Sequence, residues 1–111
     1  MSKYSRLFIA LGLCVLFTES FSKSSPEIYL FLGGDSPCKH IAQLRHKNIS
    51  GAQVVYSWKR LEPKKNAYNF VPIFKDLVCL KRINKKLFIQ IQDRSFTKNN
   101  IPVPDYLLGE K

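Results

Sequence analysis

The chain has 111 residues, of which 45% are hydrophobic and 13% aromatic, and its formal net charge is +10. This composition excludes a disordered polar chain, and the length provides apolar material for one core. The charge would suit nucleic acid, anionic lipid or acidic polysaccharide, but the basic residues are spread along the chain beside predicted helices and turns, which favours solvated faces.

Residues 1–22 have the pattern of a secretory signal peptide. Two basic residues precede the apolar run Leu7–Phe17, and the small residues of Ser20–Ser22 offer a cleavage site. The run has 11 residues, whereas a bilayer-spanning helix needs roughly 20. An uncleaved anchor or a buried helix is the alternative, and it is disfavoured because Glu19 closes the run. We therefore expect a secreted or periplasmic protein that contacts membrane only through this segment before cleavage, and no nucleic-acid partner.

The next segment predicts a first strand and helix. Glu27–Leu32 is a short apolar run rich in aromatic and branched residues, which is typical of a buried strand. Gly33–Asp35 breaks this run. Ser36 is then a candidate N-cap with Pro37 at the first helical position, and the apolar face continues to about Lys47.

The pattern then repeats. Ala52–Trp58 is predicted to be a second strand, and Asn69 or Val71 is predicted to cap a second helix that tolerates Pro72 in its first turn. Leu87–Ile91 is predicted to be a third strand. Apolar strands that alternate with helices indicate a parallel sheet covered by helices. In such sheets, binding sites lie at the carboxyl ends of the strands.

The cysteines and histidines suggest neither a disulfide nor a metal site. Cys38 is predicted in the first turn of one helix and Cys79 two turns into the next. Parallel neighbouring helices would separate them by about 10 Å, beyond the roughly 7 Å limit for Cα atoms in a disulfide. We therefore expect two buried free thiols. His40 and His46 share no metal-type spacing with either cysteine, so no metal and no cofactor is predicted.

A longer pattern resembles a known enzyme family. The sequence W-x-x-L-E-P at 58–63, followed by Y-x-F at 68–70, is similar to the amino-terminal part of (β/α)8-barrel glycoside hydrolases of the large retaining clan, especially β-galactosidase-like members. Asn66 replaces a usual Gly, which is a mild departure because Asn also tolerates a left-handed turn. Residues 103–107 look like the family's P-x-W-L segment, with Tyr106 in place of Trp.

The resemblance implies a fold. Residues 23–111 would form the first three strands and two helices of an incomplete (β/α)8 (TIM) barrel in the α/β class, preceded by the signal peptide. The family's two catalytic glutamates follow strands four and seven, and this chain ends after strand three. We therefore expect a truncated, secreted, glycoside-hydrolase-like protein that associates with carbohydrate and has no catalytic residue, although its status as an enzyme stays open.

The resemblance also implies substrate-binding residues, each with an alternative. Trp58 could stack on a sugar or pack in the core. Glu62 could bind sugar or fix its own loop, and the loop role is favoured. Asp93 and Arg94 could bind a hydroxyl group or form ion pairs at the rim. A catalytic pair of Glu62 and Asp93 is geometrically conceivable but disfavoured, because nothing forms the opposite wall of a sugar site.

Further expectations concern the aromatic pair and the rival functions. Tyr68 and Phe70 are predicted to pack the loop onto the second helix. The main alternative function is a small exported basic protein that binds anionic glycans or membrane surfaces, and salt would weaken such binding steeply. A flavodoxin-like or Rossmann-like half domain is disfavoured, since no G-x-G-x-x-G follows Leu32.

Overall fold

A computed structural model of the chain describes residues 24–109. The predicted signal peptide, residues 1–22, lies outside the described residues.

The described residues form one three-stranded sheet in which all strands are parallel. Its strands are β1 (Tyr29–Phe31), β2 (Gly51–Ser57) and β3 (Lys86–Gln92), in the order β1-β2-β3. The three predicted strands and their parallel arrangement are confirmed, although β1 is shorter than predicted. The central strand β2 is the most deeply buried of the three, as expected for an apolar strand in a parallel sheet.

The helices do not agree with the predicted fold class. Among residues 24–109 there are four α-helices: α1 (Ile41–Leu44), α2 (Trp58–Leu61), α3 (Val71–Arg82) and α4 (Asp105–Leu108). The prediction of a partial TIM barrel with two helices is therefore wrong. The structure is a small, open, all-parallel sheet with four helices, and β1 and β3 form its edges.

Local capping explains how the first predicted helix divides. Ser36 is the N-cap, as predicted, and its side chain accepts a hydrogen bond of 3.3 Å from the backbone N–H of Cys38. Ser36 precedes a 3-10 helix, Pro37–Lys39. This helix ends at His40, whose φ of −122° is not helical. The single helix predicted to continue to about Lys47 is therefore two short helices, the 3-10 helix and α1.

The second predicted helix is confirmed as α3. Its N-cap is Phe70, and Pro72 lies in its first turn, where the missing N–H costs no helical hydrogen bond. The Asn69 side chain accepts a hydrogen bond of 3.2 Å from the Val71 N–H. The core lies between this helix and the sheet, and its buried apolar residues are Leu44, Ala52, Val54, Tyr56, Leu61 and Leu80.

Gly51, at the start of β2, allows the Lys86 backbone in β3 and the Tyr29 ring to approach it closely. A Cβ atom added at this position would lie 2.1 Å from the Lys86 carbonyl oxygen and 2.9 Å from the Tyr29 ring. Neither distance leaves room for a methyl group, so glycine is required there.

A disulfide joins Cys38 to Cys79, with a Cα–Cα distance of 5.5 Å. The prediction of two free thiols is wrong, because Cys38 belongs to the 3-10 helix that packs beside α3 and not to a long helix parallel to it. The disulfide is compatible with an extracellular location. Within residues 24–109, no helix combines the length and the hydropathy that crossing a membrane requires.

Candidate functional site

A cavity of about 270 Å³ opens at the carboxyl end of β2. Its walls are almost wholly apolar and come from the residues that follow β2 and from the end of β3. We call it the aromatic cleft. Its lining residues are Trp58, Leu61, Glu62, Tyr68, Phe70 and Ile91.

Trp58 reaches the cleft because helix α2 begins directly where β2 ends. The Ser57 side chain caps α2 by accepting a hydrogen bond of 3.3 Å from the Arg60 N–H. Trp58 is half-buried, and its indole N–H donates to Glu62 Oε2 at 2.9 Å. The indole face therefore lines the cleft while its N–H is already bonded within the protein.

Glu62 is buried, with 8% of its surface exposed, and it accepts three hydrogen bonds. Besides the Trp58 indole, the Tyr106 hydroxyl donates to its Oε1 at 2.8 Å and the Asn66 N–H donates to the same oxygen at 3.1 Å. These donors, Trp58 first, hold the pKa of the Glu62 carboxyl below its usual value. Glu62 is therefore a stable carboxylate, whereas a general acid needs a raised pKa.

The turn after Glu62 uses the left-handed conformation predicted for it. Asn66 has a φ of +62°, and Asn adopts this region more readily than most residues. Asn66 stands where the glycoside hydrolase pattern has Gly. This turn directs the Asn66 N–H toward Glu62.

The rings of Tyr68 and Phe70 are stacked on each other at the mouth of the cleft. Their centroids lie 5.8 Å apart and their planes differ by 8°. Tyr68 is 60% exposed and Phe70 46% exposed. The prediction that they pack the loop onto the second helix in a core role is wrong, because the two rings stack on each other and both remain open to solvent.

Asp93 and Arg94 follow β3 and are both exposed. The register pairs Ser57 with Gln92. Trp58 directly follows Ser57 and Asp93 directly follows Gln92, so both lie at the carboxyl end of the sheet. Neither Asp93 nor Arg94 lines the cleft, and among residues 24–109 neither forms an ion pair. Of the predicted site residues, the two that follow β2 line one cavity, and the two that follow β3 do not.

A buried network that was not predicted from the sequence lies beneath the strand ends. The carboxylate of Asp76, on α3, accepts hydrogen bonds from the Tyr56 hydroxyl at 2.5 Å and the Ser36 hydroxyl at 2.6 Å. Burial, together with this bond, raises the pKa of Tyr56. One sequence signal was present, because Asp76 lies three residues after Ile73 and four before Leu80, on the apolar face of its helix.

Within residues 24–109, no group of three or more histidine, cysteine or acidic side chains is arranged to hold a metal ion. No protein-family model, curated protein or solved structure matches the chain. We therefore infer the function from the site itself.

Proposed function

We propose that this chain is an exported carbohydrate-binding protein, glycoside-hydrolase-like in residues 58–70, that holds sugar in the aromatic cleft without hydrolysing it. One observation carries the proposal. The exposed, stacked rings of Tyr68 and Phe70 lie beside Trp58 and an ionised Glu62 at the carboxyl end of a parallel strand. Binding sites of parallel sheets concentrate at that end.

The apolar part of the cleft suits the CH face of a sugar ring. Aromatic faces offer a large apolar area with a negative centre, and tyrosine adds a hydroxyl at its edge. The rings of Tyr68 and Phe70 are stacked on each other and both are partly exposed, so part of their aromatic surface is open to a sugar ring. A volume of about 270 Å³ lies just below the range of roughly 300–1,000 Å³ usual for ligand pockets, which fits part of an oligosaccharide.

The polar contacts would come from two places. Glu62 Oε2 accepts one hydrogen bond from Trp58, and each carboxylate oxygen has two lone pairs. It can therefore accept a second bond from a sugar hydroxyl. Asp93 and Arg94, at the same end of the sheet and without ion pairs among the described residues, can orient further hydroxyl groups.

Binding without hydrolysis follows from the carboxyl groups of the aromatic cleft, because Glu62 is the one carboxyl group among its lining residues. Retaining hydrolysis needs two carboxyl groups about 5–5.5 Å apart, one of them protonated to act as the acid. Glu62 is held ionised by its three donors. Export to a secreted or periplasmic location is supported by the charged and apolar start of the sequence and by the Cys38–Cys79 disulfide.

The test uses the intrinsic fluorescence of Trp58, since the chain has one tryptophan. Titration with neutral oligosaccharides should change the emission saturably. Tyr68→Ala should weaken binding about tenfold, which corresponds to ~1.4 kcal/mol. Phe74→Ala is the matched control, because Phe74 is 62% exposed but lies on α3 outside the cleft. Equal affinity for both variants would contradict the proposal.

A further inference from the structure

A second cavity, of about 280 Å³, lies at the carboxyl end of β1. It is more polar than the aromatic cleft, and its walls combine the loop after β1 with parts of α2 and α3. We call it the basic cavity because it contains three cations, Lys39, Arg60 and Lys75.

The negative groups in the basic cavity already have partners. Asp35 lies 3.4 Å from the His40 imidazole, and the Asp76 carboxylate accepts the Ser36 and Tyr56 hydroxyls. Among residues 24–109, none of the three cations forms an ion pair. With three cations against two carboxylates, the cavity has an excess of positive charge that a bound anion would neutralise.

The basic cavity and the aromatic cleft share helix α2. Trp58 lines the cleft and Arg60 lines the basic cavity. A separation of two positions along an α-helix corresponds to a rotation of about 200° around the helix axis and a rise of about 3 Å. The two sites therefore lie on opposite sides of one short helix, and a ligand longer than one sugar residue could cross it.

We propose that the ligand is an acidic oligosaccharide. One sugar ring stacks in the aromatic cleft, and a carboxylate or sulfate group on a neighbouring residue enters the basic cavity. Arg60 is the main contact, since its planar guanidinium can form two parallel hydrogen bonds to either anion. Lys39 and Lys75 add charge. The inference rests on the proposed function, because it assigns the substrate class of the same site.

The cavity is held in shape from both sides. Lys39 follows Cys38, which the disulfide fixes to Cys79 on α3, the helix that also carries Lys75. The hydrogen bond between Ser36 and Asp76 joins the same two segments. The segments that carry Lys39 and Lys75 are thus fixed before a ligand binds, so anion binding loses little loop freedom and should exceed what the overall charge gives.

The experiment compares three tetrasaccharides of equal length on the full protein: neutral galactose, galacturonic acid and sulfated galactose. Isothermal titration at about 150 mM salt suppresses long-range charge attraction. One acidic tetramer should bind about tenfold more tightly than the neutral one. Preference for the galacturonate identifies a carboxylate, and preference for the sulfated tetramer identifies a sulfate ester.

Two variants separate a specific site from general basicity. Arg60→Gln should reduce acidic binding about tenfold and leave neutral binding unchanged. Lys47→Gln, an exposed cation in the turn before β2, should change neither. If the two variants have equal effects, or if the acidic tetramers bind no more tightly than the neutral one, this inference is overturned. Neutral binding that still depends on Tyr68 would then continue to support the proposed function. Binding of no tetramer would overturn both.

Discussion

The Tyr106 hydroxyl donates a hydrogen bond of 2.8 Å to Glu62, although 44 positions separate the two residues. Two further contacts hold the same segment in place. The Lys59 N–H donates to the Pro102 carbonyl at 2.6 Å, and the Lys59 ammonium lies 2.7 Å from Asp105. The segment that contains α4 thus lies against the end of β2, and it supplies one of the three donors to the carboxylate in the aromatic cleft.

The first prediction concerns the acid stability that Glu62 provides. Its folded pKa is lowered, so its contribution is fully present above its ordinary pKa of 4.5 and is lost as the pH falls through the lower folded value. Unfolding by urea, followed from pH 6 to pH 3, should show the wild type losing stability with acid. Glu62→Gln, which does not titrate, should be less stable at pH 6 and flatter across the series. Parallel curves for the two proteins would contradict the lowered pKa.

The second prediction concerns Gly51. Gly51→Ala would place a Cβ atom 2.1 Å from the Lys86 carbonyl oxygen, so the two strands must separate. We expect a loss at or above the upper end of the roughly 1–3 kcal/mol that overpacking usually costs. Gly34→Ala is the control, because its nearest neighbour would be 3.9 Å away. Urea unfolding midpoints measure both, and equal tolerance of the two substitutions would refute the close approach of β2 and β3.

The sequence predicted the strands better than the helices, for a physical reason. The three apolar runs are long enough to indicate strands, and α3 has a clear apolar stripe. Helices α2 and α4 have four residues each, which is too short for periodicity to appear. Helix α2 depends on its Ser57 cap, and α4 is held by contacts with the distant residues Lys59 and Glu62.

The candidate site was predictable only in part. Trp58 and Glu62 line the same cleft because one short motif contains both. Their bonding with Tyr106 depends on tertiary contact over 44 positions, and no local pattern encodes it. The disulfide was missed for the same reason, since the position of Cys38 depends on how a 3-10 helix packs against α3.

The third prediction concerns the disulfide. Cys38 and Cys79 are separated by 41 positions, and closing a loop of that length stabilises a fold by about 4 kcal/mol in the chain-entropy estimate. Reductant should therefore lower the urea midpoint of the wild type markedly. The Cys38→Ser/Cys79→Ser double variant should match the reduced wild type and be indifferent to reductant. A reductant-sensitive double variant would indicate that the stabilising bond lies elsewhere.

The fourth prediction concerns the buried network of Tyr56, Asp76 and Ser36. Tyr56→Phe removes one hydrogen bond to a charged acceptor and should cost about 1.5–3 kcal/mol. Asp76→Ala should cost more, because it leaves the Tyr56 hydroxyl buried without its acceptor. The combined variant should cost less than the sum of the two, since both remove the same contact. Additive losses would mean that the two side chains act independently.

The NMR signal of the Trp58 indole N–H is the most direct test of carbohydrate binding in the aromatic cleft. The chain has one tryptophan, so a single indole resonance reports on the aromatic cleft. On addition of an oligosaccharide, the account predicts that this resonance and the backbone amides of Tyr68 and Phe70 shift saturably, while the amides of Phe74 and Val78 on the outer side of α3 do not. An unchanged indole signal, with shifts confined to lysine-rich segments, would contradict carbohydrate binding in the cleft and favour association through charge alone.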